Sequence, residues 1–298
     1  MPCMGSDLDY DVAPMEIINR VARMAAVSTK LMSSDVQIGL VTTMGVIHQG
    51  HISLIEAARE MTDLVVVSVF VNRLQFPSQE EYLQYPRDVT RDVDLLSQNN
   101  VDYVFYPNEE EMFPRDFSTY VQVENFGEKL PGIQLPGHFR GMTTVNLKLI
   151  HIVRPSFLFL GLKDALQGAI LRKMITDLNL GTEVVVAPVS RHASGLAHGA
   201  RNCLLNESQK GAASVLYRSL RAAEEAIARG ERQSRKLINE IRRVIGNEPL
   251  ASLEYAFVSD PANLNPVSRV QGSVLIGVGA RIGTVSLNDA LIAQIPAE

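Results

Sequence analysis

Apolar and polar positions along the chain follow two periods in turn. Met1 to Asp11 is polar and acidic and reads as a loose tail. Ile17, Ile18, Val21, Met24 and Ala25 then recur at helical spacing and predict a helix over residues 14–31. Beyond it, strand-like and helix-like runs alternate. Strands are predicted at 36–41, 64–71, 101–106, 157–160 and 184–187, and helices at 52–61, 88–98, 141–153 and 165–178. The run LVVVSVFV at 64–71 is apolar almost throughout, as in a strand buried on both faces of a parallel sheet. Leu166, Ile170, Met174 and Leu178 form one stripe of the 165–178 helix. This alternation predicts a doubly wound parallel α/β sheet, Rossmann-like, with helices on both faces.

The pattern changes near Pro188. Residues 207–229 and 233–245 predict two amphipathic helices joined at Gly230. Short apolar runs at 253–258, 273–277 and 280–285 follow, separated by Pro- and Gly-containing turns. The expected division is a Rossmann-like nucleotide- and substrate-binding domain at 1–188 and a smaller C-terminal α+β lid domain at 189–298.

Composition narrows the function classes. With 298 residues, 46% hydrophobic and 20% charged, the chain can bury a sizeable core. A net charge of −5 without any Lys/Arg-rich run argues against nucleic acid as a partner. No run approaches the roughly 18 apolar residues of a membrane span, and the N-terminus lacks the order of a signal peptide, so no membrane partner and a cytoplasmic location are expected. Cys3 and Cys203 are too few for a disulfide framework, and reduced thiols follow.

The candidate chemistry begins at Thr43-Met44-Gly45-Val46-Ile47-His48-Gln49-Gly50-His51, between a predicted strand and a predicted helix. A glycine-containing turn into a helix N-terminus presents free backbone N–H groups and the positive end of the helix dipole, a setting for phosphate. His48 and His51, three apart, can share a face and donate to one phosphoryl group; the same spacing also fits an ordinary turn with two solvated histidines. No Cys/His cluster supports zinc at this pair. Asn72-Arg73-Leu74-Gln75-Phe76 follows the 64–71 strand, with Tyr85-Pro86-Arg87-Asp88 and Asp92 beyond it. Polar loops at strand C-termini are where α/β enzymes keep substrate-binding groups. Pro136-Gly137-His138-Phe139-Arg140-Gly141 opens a helix, where His138 serves either as a ligand contact or in helix capping. Gly161-Leu162-Lys163-Asp164, with Gln167 one turn on, puts a lysine where it can neutralise phosphate charge. Cys203 has no partner base to make it a nucleophile.

Together these motifs resemble, in order, those of the pantothenate synthetase (pantoate–β-alanine ligase) family of HxGH nucleotidyltransferases. The resemblance rests on TMGxxHxGH, FVNPxQF with YPR, PGHFRGV, GEKD and a VREADGLAMSSRN-type loop. It implies ATP-dependent condensation of pantoate with β-alanine through a pantoyl adenylate, with Mg²⁺, in a homodimer. His48, His51, Lys163 and Arg201 would be catalytic. Met44, Gly45, Gly161 and Asp164 would join them around ATP. Gln75, Gln167, Asn72, Tyr85 and Met44 would bind pantoate, and Asp92 would lie near the metal.

The chain departs from the family's pattern at several places. Arg73 stands for a proline, Leu162 for the glutamate before the lysine, and Ala165 and Leu166 for tyrosine and glutamine. In the last loop His192 and Ser194 replace acidic residues, while Gly199 and Ala200 replace the two serines. These departures keep two other readings open: an adenylate-forming ligase for another acid or amine, and a catalytically impaired paralogue that binds nucleotide or a partner without turnover.

Overall fold

The run of β-branched residues at 64–69 lies in the middle of a six-stranded sheet, in a computed structural model that describes residues 14–124 and 137–295. The strands are β1 (Glu16–Ile18), β2 (Ile38–Thr43), β3 (Leu64–Val69), β4 (Tyr103–Phe105), β5 (Phe157–Gly161) and β6 (Glu183–Ala187). Their order is β1-β4-β3-β2-β5-β6, with every pairing parallel. The tail at 1–11 and Pro136 lie outside the described residues.

Side chains alternate across β3. Val65, Val67 and Val69 face a core with Ile52, Leu54, Ile55 and Ala58 of α2 (Gln49–Met61), while Val66 faces the opposite core with Met24, Leu149 and Ile170. The latter come from α1 (Val21–Met32), α6 (His138–Val153) and α7 (Ala165–Asp177). Three shorter helices, α3 (Gln79–Gln84), α4 (Val89–Ser97) and α5 (Glu109–Met112), complete this part. Ser78, Asp88 and Asn108 cap them by accepting backbone N–H groups of their first turns. Burial on both faces is why β3 reads as a continuous apolar run instead of an alternating one.

The second sheet is antiparallel: β7 (Ala251–Ser259), β8 (Ser273–Ile282) and β9 (Val285–Gln294), in that order. Val274, Ile276, Val278, Ala280 and Ile282 of β8 pack on Leu216, Leu220, Ile227, Leu237, Ile241 and Ile245 from α9 (Val215–Ala228) and α10 (Ser234–Gly246). These helices follow α8 (Glu207–Ala213), which Asn206 and Gln209 close with a capping box. From the other face of this sheet, Phe257, Leu275 and Ala290 join the core of the parallel sheet.

Three predicted elements differ. Residues 16–18 pair with β4 instead of starting the first helix. Ile18 is buried and Ile17 is 51% exposed, a two-residue alternation that mimicked helical spacing over so short a run. The single helix expected over 207–229 breaks at Ser214, whose Oγ donates to the Gly211 carbonyl. The runs at 273–277 and 280–285 are mostly one strand, because Tyr255 and Phe257 pair across from Gly279 and Gly277 and their rings cover both glycines.

Candidate active site

Strand order reverses between β2 and β5, which are neighbours in the sheet though far apart in sequence. The loops leaving their C-terminal ends, 44–48 and 162–164, therefore flank the crevice where doubly wound sheets bind ligands.

The first loop is tightly held. Gly45 takes a left-handed φ of 82° and its N–H donates to Thr43 Oγ1 at 3.2 Å; Val46 follows at φ 54°, a strained value for a β-branched residue. Asp92 secures that conformation. Its Oδ2 accepts Val46 N–H at 2.8 Å and its Oδ1 accepts Ile47 N–H at 2.6 Å, in a site where Asp92 is 3% exposed. A Cβ at position 45 would stand 3.0 Å from Oδ2, so residue 45 must be small as well as left-handed. Both carboxylate oxygens are turned to the backbone, and Asp92, expected near the metal, acts here as the clamp of the loop. Met44 is half-buried beside it.

His48 is the N-cap of α2. Its Nδ1 accepts Gly50 N–H at 3.1 Å, which puts the proton of the neutral ring on Nε2. His51 stacks on it, with ring centroids 3.9 Å apart and planes 22° off parallel, and His51 Nδ1 is buried without a hydrogen-bond partner. Burial, then His51, Lys163 and His198, push the His48 imidazole down to about 2, against a smaller opposing effect of Asp164. Burial and Lys163 push His51 down to about 3. At neutral pH both rings are neutral N–H donors at the positive end of a helix. Such a site holds unused donors where negative charge is favoured.

On the β5 side, Gly161 ends the strand with no protein atom within 4 Å of the place a Cβ would occupy. Lys163 and Asp164 follow on a 3-10 turn, Nζ lying 3.6 Å from Oδ2. Asn288 of β9 donates to the Lys163 carbonyl at 3.1 Å and to Asp164 Oδ1 at 3.2 Å. Gln167 lies half-buried in the first turn of α7. Leu162, Ala165 and Leu166, the departures noted above, pack against the core.

The Asn72 loop reaches the same crevice. Asn72, 1% exposed, caps the 3-10 turn Arg73–Gln75 through Leu74 N–H; its Nδ2 donates to Gln75 Oε1 at 2.8 Å and to the Gly141 carbonyl at 3.1 Å. Asn72 thus holds Gln75 and the turn together from within the protein, and orients the Gln75 amide. With Gln75 Oε1 engaged, its amide NH₂ is left as the donor. His138 bonds the Gln75 carbonyl through Nδ1 at 3.0 Å; it does not cap α6, whose N-cap is Gly137 without a side-chain bond. Arg73 points away, pairing with Glu109 at 2.8 Å, so the loop closes without a proline there. Burial pushes the Tyr85 phenol up to about 12, with Arg201 opposing and Cys203 and Asp92 adding to it.

The loop at 190–202 closes the crevice from above α2. Arg191 and Ala197 pair across it and Gly195 turns it. Arg191 holds it to β9 by a bidentate pair with Asp289 at 2.5 and 2.9 Å and lies over the Tyr217 ring at 3.9 Å. Arg201, on the 3-10 segment Ala200–Leu204, donates to the Ser286 carbonyl at 3.3 Å. Sequence reasoning missed Arg191, Asn288 and Asp289. The alternation Val285-Ser286-Leu287-Asn288 after the Gly283-Thr284 turn was the available signal for the last two. Among the described residues no group of three His, Cys, Asp or Glu side chains is arranged to hold a metal ion, and no helix is long and apolar enough to cross a membrane.

A doubly wound sheet with an HxGH helix N-terminus and a facing lysine at its switch point defines a nucleotidyltransferase-type ligase, and known proteins narrow the class. Residues 16–292 match the family described as pantoate-beta-alanine ligase, and the chain belongs to that family. It is 41% identical over 278 residues to the pantothenate synthetase of Fervidobacterium nodosum, covering 93% of this chain and 99% of that one. With the pantothenate synthetase of Heliobacterium modesticaldum it shares 43% over 281 residues, covering 94% and 100%. Among solved structures, pantothenate synthetase from Thermus thermophilus superposes with a TM-score of 0.86 at 36% identity, covering 93% and 99%. Pantoate-beta-alanine ligase from Francisella tularensis, complexed with beta-gamma ATP and beta-alanine, does so with a TM-score of 0.74 at 30% identity, covering 93% and 97%.

Proposed function

We propose that this crevice joins pantoate to β-alanine at the expense of ATP, with His48 and His51 at the α-phosphate. The observation that carries the reading is the stacked, neutral His48–His51 pair at the N-terminus of α2, facing Lys163 across the switch point. A pantoate carboxylate oxygen attacks the α-phosphorus, the bond to pyrophosphate breaks, and pantoyl adenylate forms. The β-alanine amine then attacks the acyl carbon, loses a proton and expels AMP. The protein's share is placement and charge stabilisation. Gln75, aimed by Asn72, and Gln167 take pantoate with Tyr85 and Met44. The two imidazoles and the open amides of α2 meet the charge growing on the α-phosphate. Lys163 and Arg201 draw off pyrophosphate, while Gly45, Gly161 and Asp164 shape the nucleotide's seat.

Mg²⁺ would arrive on the nucleotide phosphates, since the described side chains build no cage for it and the ion commonly binds that way. The homodimer and the cytoplasmic location belong to the same reading and rest on the family resemblance and on composition.

Purified protein with pantoate, β-alanine, ATP and Mg²⁺ should release pyrophosphate and AMP and form pantothenate. His48→Ala and His51→Ala should each lower pyrophosphate release by about 10²- to 10³-fold, the usual loss for one charge-stabilising donor, with the circular dichroism spectrum unchanged. Near-normal release by either variant overturns the assignment of that histidine. Pyrophosphate release that requires another carboxylic acid in place of pantoate overturns the substrate.

A further inference from the structure

The 190–202 loop brings a third imidazole, that of His198, beside the first turn of α2. His198 follows the Arg191–Ala197 pairing, and its N–H donates to the Ser190 carbonyl at 3.0 Å. Its ring Nδ1 lies 3.0 Å from Ser190 Oγ, which fixes the ring, and no described side chain takes Nε2. Its Cβ is 3.4 Å from the place a Cβ of Gly50 would occupy, and its charge is felt by His48. The next residue faces the lysine: a Cβ on Gly199 would stand 3.9 Å from Lys163 Nζ. The 198–199 segment thus borders the line from the α2 N-terminus to Lys163, along which the polyphosphate must run if the proposed function holds.

The pair that follows, Gly199-Ala200, brings no hydroxyl to that line. We propose that His198 is a phosphate-binding residue of the nucleotide site, supplying from a side chain the donor that positions 199 and 200 lack. This deepens the ATP reading above and rests on it. The groups facing His198 are His192 on its own loop, with ring centroids 3.9 Å apart, and His48 from α2; Ser190 bonds it, and Lys163 and Asp164 act in turn on His48. Only Asp164 among these is anionic. Burial and His192 hold His198 below the ordinary histidine range, and a phosphate beside it would favour its protonated form.

Packing alone could explain a large side chain over Gly50, and a methionine separates the two roles by keeping bulk and losing both ring nitrogens. His198→Met should raise KM for ATP about ten- to hundredfold, the usual loss of a hydrogen bond to a charged group, while kcat falls less and KM for pantoate stays within about twofold. His198→Gln, which keeps a donor, should recover part of the loss. Gly199 is extended (φ −167°, ψ 147°), and a Cβ there would meet Asn202 Oδ1 at 3.6 Å, an ordinary contact, so Gly199→Ser fits. In the His198→Met background that serine should restore ATP affinity, more than it adds to the wild type. Unchanged KM for ATP in His198→Met, or an equal rise in KM for pantoate, overturns the proposal. If the wild type makes no pantothenate, the ATP-ligase reading fails instead, and calorimetric binding of a non-hydrolysable ATP analogue to wild type and His198→Met decides the role of His198: equal affinities overturn it, weaker binding by the variant supports it.

Discussion

At the scale of single residues, the site is built by side chains whose hydrogen-bonding capacity is either spent or conspicuously unspent. His51 Nδ1 is buried and unpartnered, and His48 Nε2 carries a proton because Nδ1 is taken by Gly50; these are the groups left for a ligand. Asp92 is the opposite case. Its two oxygens hold Val46 and Ile47 N–H, and without them nothing offsets the positive φ of Val46. Asp92→Asn should therefore destabilise the protein by ~1.5–3 kcal/mol in urea unfolding, the range for a hydrogen bond to a charged group. It should lower kcat by displacing His48, and leave the Mg²⁺ concentration for half-maximal rate where it was. A marked rise in that concentration would return Asp92 to the metal. Nothing in the sequence separates these roles: an aspartate one helical turn inside a helix looks the same whether it faces a cation or two amides.

At the scale of elements, legibility followed the range of the contacts. The strands β2, β3 and β5 and the loops after them could be read because burial on both faces and the glycine turns leave their marks within about ten residues. β1 could not, since Glu16–Ile18 becomes a strand only by pairing with Tyr103–Phe105 far along the chain. β9 was missed for a similar reason: half of its pattern is set by Asn288 and Asp289, polar residues that face the site and a buried arginine instead of solvent. The Gln75 loop shows what element packing adds. A Cβ on Gly141, in the first turn of α6, would lie 2.5 Å from Leu74 Cβ and 2.7 Å from the Leu74 carbonyl oxygen, so α6 and the 73–75 turn meet backbone to side chain with no slack. Gly141→Ala must push that turn away. It should cost ~1–3 kcal/mol of stability as an overpacked core contact. It should also raise KM for pantoate, because the Gly141 carbonyl that helps fix Asn72, and through it Gln75, moves with the helix. An unchanged pantoate KM in a destabilised variant would separate the helix contact from substrate placement.

For the whole molecule, the antiparallel sheet shares a core with the parallel one. Phe257, Leu275 and Ala290 share the parallel sheet's core, and β9 touches both walls of the crevice, Asn288 on the lysine turn and Asp289 on the 190–202 loop. The Arg191–Asp289 pair is the strongest of these ties, bidentate, with side chains 16% and 2% exposed. Asp289→Ala leaves Arg191 buried without a counter-charge and should destabilise the protein by ~3–5 kcal/mol, whereas replacing both partners together, Arg191→Met with Asp289→Leu, should recover most of that because no lone charge remains. Catalysis should not recover in parallel. The loop that carries His198 and Arg201 is oriented by the guanidinium, which also bonds the Gly195 carbonyl and lies over Tyr217, and a methionine keeps neither contact. The double variant is thus expected to unfold near the wild-type urea midpoint yet show a raised KM for ATP. If both stability and ATP KM return to wild type, the pair is a packing element only, and the loop finds its place over the crevice without it.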